Sequence, residues 1–222
     1  MTAGQGETIN AHPSASASGT GEAGETLNEE ELGQRLRTLR KERGLSLASV
    51  ASAARLSIGL ISQIERGQTS PSFRSLRLLS GALGVPIETF FTQAAPVDPA
   101  ERGIVVHPRN RRVLNLSKKG IVTEYVDPDT DGTMQMMLLT IEPGGGTGQE
   151  FDQHVGEEGG LVLAGQFELL LSGRTLVLNE GDSFRFRSET PHSFRNPGQI
   201  PTRVIWFITP TLYGRGGLAR TI

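Results

Sequence analysis

Between Gly44 and Gly67 two short apolar stripes follow one another at helical spacing: Val50, Ala51 and Ala54 form the first, Leu56, Ile61 and Ile64 the second. Both can face one core only if the chain turns sharply between them. The spacing therefore predicts two short helices joined by a tight turn. Ser57 is a good N-cap for the second helix, because its hydroxyl can accept an otherwise unpaired amide of the first turn, and Gly67 is a good stop. Ser62 and Gln63 lie off the Ile61/Ile64 stripe, so that helix keeps a polar face for a partner.

The charge around this stretch suggests what the partner is. The chain carries a net charge of -2, but from Leu32 to Phe91 nine basic side chains stand against three acidic ones. A block of that sign can hold a polyanion. The preceding segment holds only glutamates as charged residues, and the remainder after Phe91 is close to balanced. With no cysteine, the fold owes nothing to disulfides or thiolate metal sites. No run approaches the ~20 apolar residues of a membrane span, and the first ten residues lack the basic start and apolar stretch of a signal peptide. A cytoplasmic protein with no membrane partner is the expectation.

The 222 residues are enough for two modest domains. Residues 1–27, rich in Gly, Ala, Ser and Thr, are expected to be a disordered arm. Residues 28–91 read as five helices: Glu29 to Arg43, the pair above, a fourth opened by Ser70-Pro71, and a short last one from Pro86 to Phe91. Residues 92–103, with Pro96 and Pro99, read as a linker, and 104–212 as an all-β domain before a tail, 213–222. Strands are expected at Met134 to Ile141, Leu161 to Leu163, Phe167 to Leu171, Thr175 to Leu178, Ser183 to Phe186 and Thr202 to Thr209. Breakers such as Glu142-Pro143-Gly144-Gly145-Gly146 and Glu180-Gly181-Asp182 set a rhythm that suits a sandwich or small barrel.

Through Leu-Ser-Leu-Ala-Ser-Val-Ala, Leu-Ser-Ile-Gly-Leu-Ile-Ser-Gln-Ile-Glu-Arg-Gly and Leu-Leu-Ser-Gly-Ala-Leu-Gly-Val, residues 32–91 resemble the phage-repressor and Cro-like helix-turn-helix family, with the motif at 47–66. That resemblance implies a five-helix bundle whose second motif helix enters the major groove. It places Gln63 at a base edge, with Ser46, Ser57, Gly59, Leu60, Ser62 and Arg66 around the DNA contact. A glutamine can pair bidentately with adenine. Arg40 and Glu65 match a structural ion pair of the family. Two positions depart from its pattern: Arg55 stands where a turn glycine is usual, and Leu47 where a phosphate-contacting glutamine is common.

The run from Gly146 through Asp152, His154 and Glu158 to Gly165 resembles the first motif of the cupin family, with Asp152 in place of the first histidine. Gly181-Asp-Ser-Phe through Pro191-His192-Ser-Phe-Arg-Asn196 resembles the second, although Arg187 and Glu189 replace its usual proline and glycine. The implied fold is a double-stranded β-helix, or jelly-roll barrel, with Asp152, His154, Glu158 and His192 at its mouth. Two imidazoles and a carboxylate suit one divalent ion, Fe, Mn or Zn. Without an ion the histidines are pocket-lining hydrogen-bonders, and the carboxylates Glu150, Asp152, Glu157 and Glu158 could receive a cationic amine instead. Glu150, Asp152, His154, Glu158 and His192 are the expected effector contacts.

The two halves together resemble bacterial regulators that join a Cro-like head to a single cupin sensor, of the putrescine-responsive repressor type. The resemblance implies a dimeric repressor on a palindromic operator of double-stranded DNA, controlled by a small molecule. A second resemblance points to an enzyme: a hydroxypropylphosphonate epoxidase shares the domain pair and a similar iron set.

Overall fold

The computed structural model describes residues 28–91, 98–128, 132–148 and 150–211. The expected arm, half of the linker and the tail lie outside them. Four α-helices build the first domain: α1 Glu29–Glu42, α2 Leu47–Ala54, α3 Ile58–Glu65 and α4 Phe73–Leu83. Each starts at a side-chain cap. Asn28 closes a capping box with Glu31, and Ser46, Ser57 and Ser72 each accept the amide three residues on. The five-helix expectation is corrected to four, because Ile87–Phe90 forms only one 3-10 turn after Pro86. The fourth helix starts two residues later than expected, since Ser72 rather than Ser70 supplies the cap. Helices α2 and α3 meet at a bend of 114°, within the range of a helix-turn-helix pair. Leu32, Leu36, Val50, Ala54, Ile61, Ile64, Leu76 and Leu79 fill the space between the helices.

Arg55 closes α2 with φ 52° and ψ 40°, the left-handed conformation that glycine adopts without strain. The turn therefore keeps the geometry despite the arginine. Leu47 is half-buried and packs against the core instead of offering a polar group.

Among the described residues the second domain has nine strands: β1 Arg112–Leu116, β2 Ile121–Tyr125, β3 Gln135–Ile141, β4 Glu157–Ala164, β5 Gln166–Leu171, β6 Arg174–Asn179, β7 Ser183–Arg187, β8 His192–Arg195 and β9 Thr202–Thr209. They form a six-stranded sheet, β1-β2-β3-β9-β4-β7, and a three-stranded sheet, β6-β5-β8, with antiparallel pairing throughout. This is the cupin architecture. Between the sheets Trp206 lies within 5.6 Å, centroid to centroid, of Phe167, Phe184 and Phe194. That aromatic plug fills one part of the interior and leaves the rest to a pocket. Among the described residues no single helix is long and apolar enough to cross a membrane.

Candidate nucleic-acid interface and ligand pocket

The first site is the outer face of α3. Ser57 Oγ accepts the Leu60 amide at 3.1 Å and so fixes where the helix begins. Ser57, Gly59, Gln63 and Arg66 are exposed, while Leu60 and Ser62 are half-buried. The Arg66 guanidinium donates to Ser62 Oγ and, through Nε, to Gln68 Oε1 at 3.1 Å, which ties those side chains along the helix. Ser46, at the start of α2, is exposed and spends its hydroxyl oxygen on the Ser49 amide. Behind this face Arg40 grips Glu65 with two hydrogen bonds, 2.6 and 2.8 Å, and donates a third to the Leu45 carbonyl at 3.0 Å. The contact fastens α1 to α3 from the inner side, as a structural pair should.

The second site lies inside the β-domain. His154 just before β4, Glu158 on β4 and His192 on β8 are all buried, and one ligand atom of each lies within 4.8 Å of the others. Glu158 Oε1 is 2.8 Å from His154 Nε2 and 3.2 Å from His192 Nε2, while Trp206 Nε1–H donates to Oε2 at 2.8 Å. The other ring nitrogens face carbonyls, His192 Nδ1 that of Thr190 at 2.9 Å and His154 Nδ1 that of Val155 at 3.3 Å. If Nδ1 carries the proton, two Nε2 lone pairs point at a carboxylate oxygen. A proton or a cation must then sit between them. Backbone carbonyls behind the imidazoles and a carboxylate oxygen about 3 Å from each Nε2 suit a divalent ion bound at about 2.1 Å. Burial alone would push the Glu158 carboxyl up, but the His154 hydrogen bond and both imidazoles bring it below the ordinary value. Burial likewise disfavours charge on His154, and the Glu158 contact outweighs it, so that imidazole protonates more readily than usual.

Asp152 does not join this set. Its backbone bridges His192, with N–H···O distances of 2.9 and 3.1 Å, but its Oδ1 accepts from Arg77 Nη2 of α4 at 2.5 Å. Glu150 is exposed at the rim, and Glu157 points outward on the opposite side of β4 from Glu158. The pocket, a cavity of about 50 Å³, is walled by Met137, Leu139, Phe194, Trp206 and Ile208, with Glu150, Asp152, His154, Glu158 and His192 as its polar lining. Ser72, Phe73 and Arg74 of the helical domain complete the wall. Sequence reasoning missed this contribution. Trp206 carried a readable signal, because it shares the inward face of an alternating strand with Val204 and Ile208.

The chain matches the model of a helix-turn-helix domain over residues 31–90 and that of a cupin domain over residues 137–208. It is 31% identical over 182 residues to the HTH-type transcriptional regulator PuuR of Escherichia coli, covering 82% of this chain and 96% of that protein. It is 28% identical over 168 residues to the HTH-type transcriptional regulator SutR of the same organism, covering 74% and 86%. An HTH_3 family transcriptional regulator from Vibrio cholerae has a similar fold, with a TM-score of 0.55 at 21% identity over 82% of this chain and 96% of that one.

Proposed function

The chain belongs to the helix-turn-helix transcriptional regulators that carry a cupin domain, and from that premise we propose that its cupin pocket binds a small effector which sets how tightly the reading helices hold an operator. It is a DNA-binding regulator and not an enzyme. The finer reading is a homodimeric repressor acting in the cytoplasm, whose two α3 helices lie about one turn apart on a palindromic site. Gln63 reads a base edge, and Ser46, Ser57, Gly59, Leu60, Ser62 and Arg66 position it on the duplex. Repression rests on the family resemblance alone.

One observation carries the effector half: one mostly apolar pocket is walled by residues of both domains and has carboxylates in its lining. That chemistry suits a small amine with an apolar body, its cation toward Glu150 and Asp152. A coupling of 1–3 kcal/mol between ligand and DNA would shift operator affinity roughly 5- to 150-fold. His154, Glu158 and His192 would hold one divalent ion, Fe, Mn or Zn, and the ion would supply an open coordination position for a donor atom of the effector. Metal analysis of the purified protein tests this: we expect close to one ion per chain, lost in His192→Ala.

The decisive experiment is selection of random duplex DNA by the full chain near 0.15 M salt, followed by sequencing. An enriched inverted repeat supports the reading. Retention without sequence preference would leave only electrostatic binding by the basic block and overturn it.

A further inference from the structure

Arg77 is a charged residue of the reading domain buried against the ligand pocket of the other domain. Its side chain is 6% exposed, and Nη2 donates to Asp152 Oδ1 at 2.5 Å and approaches the Gln153 carbonyl at 3.4 Å. Its Nε is buried with no hydrogen-bond partner. A buried ion pair with an unpaired donor recovers only part of its desolvation cost, so stability is a weak reason for it. The pair has a more informative position. Asp152 bridges His192 through its backbone and lines the pocket, while the first turn of Arg77's own helix, Ser72 to Arg74, forms the adjoining wall.

We propose that Arg77 is a built-in competitor for the pocket carboxylate: its guanidinium latches α4 onto the cupin, and a ligand that brings its own cation to Asp152 releases it. The inference rests on the reading of the cupin as an effector pocket. A second anchor lies at the start of α1, where Glu29 accepts from Ser117 and Lys118 of the β-domain, and at the end of the helical domain, where Phe91 packs on Tyr125 with centroids 4.5 Å apart. With that end held, release of Arg77 lets α4 swing rather than detach. Helix α4 packs on α2 and α2 on α3, so a swing of α4 carries the reading helix with it.

The absence of cysteine allows unique spin labels at Thr38→Cys on α1 and Thr175→Cys on β6, both exposed. The distance between them is read by pulsed electron resonance in the full chain, with doubly labelled chains diluted into an excess of unlabelled ones so that only the distance within one protomer is measured. We expect one narrow distance for the parent, a shifted or broadened one for Arg77→Met and for Asp152→Asn, and recovery in the swap Arg77→Asp/Asp152→Arg. The probe is n-propylguanidinium, which copies the end of the Arg77 side chain, with n-butylammonium as its ammonium counterpart. Either should shift the parent as the variants do and leave Arg77→Met where it is. Circular dichroism on each variant separates undocking from unfolding; should Asp152→Asn fail to fold, Arg77→Met carries the comparison. Unchanged distances in Arg77→Met overturn the latch. Variants that shift while neither cation moves the parent leave a structural ion pair and overturn the competition. Operator selection fails or succeeds independently of these distances, so loss of the regulator reading and loss of the latch are distinguishable.

Discussion

Gln63 and Arg55 make opposite demands on one small motif. Gln63 contributes little to the fold, since its side chain is exposed. Gln63→Ala should therefore leave the melting temperature within about 2 °C, a surface change being worth at most ~0.5 kcal/mol. A lost bidentate base contact is worth roughly 1–3 kcal/mol, so affinity for the selected operator should fall about 5- to 150-fold, with less effect on unrelated duplex. Equal weakening on both would assign Gln63 to the backbone. Arg55 is held at φ 52°, which costs a residue with a Cβ about 1–2 kcal/mol. Arg55→Gly removes that strain but gives the unfolded chain more freedom, worth about 0.4–1 kcal/mol. The difference favours the variant, and calorimetry should show a transition a few degrees higher. A lower melting point would mean that the arginine stem packs on the turn.

At the scale of elements, the helix crossings depend on Gly33. A Cβ there would lie 2.2 Å from the Ile64 carbonyl oxygen, so α1 and α3 approach through a position that admits no side chain. Helix propensity taken alone would make Gly33→Ala stabilising by about 1 kcal/mol. The clash is with backbone, which cannot rotate away, and overpacking of that kind costs about 1–3 kcal/mol or more. We expect steric repulsion to win, with a net loss near 2 kcal/mol and a lower melting temperature; a rise would refute the close crossing. The sequence revealed most of these elements because their signals were strong: paired apolar stripes for α2 and α3, with a cap and a stop for α3, and alternation bounded by glycine turns for β3 to β7 and β9. Strands β1 and β2 were not assigned, since each has only five residues and two of the five are polar or charged. Strand β8 was hidden for a different reason. His192-Ser-Phe-Arg is four residues long, and its buried histidine and serine face a pocket that periodicity cannot indicate. The His154, Glu158 and His192 cluster was legible through the resemblance to the two cupin motifs, whereas the Arg77 contact to Asp152 was not, because it joins residues 75 positions apart in different domains.

For the whole molecule, the question is whether two domains behave as one, and Glu29 is the place to ask it. Its carboxylate, 5% exposed at the first residue of α1, accepts from Ser70 Oγ at 2.6 Å, Ser117 Oγ at 2.7 Å and the Lys118 amide at 2.7 Å. Lys118 in turn donates from Nζ to the Gly67 carbonyl. Burial would push this carboxyl up, yet the three hydrogen bonds prevail and hold it below its ordinary value. A carboxylate with a depressed folded pKa stabilises the folded state above its unfolded pKa, about 4.3, and that contribution is lost as pH falls through the folded value. Glu29→Gln removes the charge and turns an amide donor toward donors. At pH 7 the variant should lose about 2 kcal/mol, the scale of a hydrogen bond to a charged group. The gap in melting temperature from the parent should hold from pH 7 to about 5 and narrow below about 4, as the parent's carboxylate takes up its proton. Because two of the three donors belong to the β-domain, calorimetry at pH 7 should also show a single transition in the parent and two in Glu29→Gln. A gap that stays constant down to pH 3 would mean that the charge contributes nothing, and a single transition in both proteins would place the coupling between domains at the Arg77 contact instead.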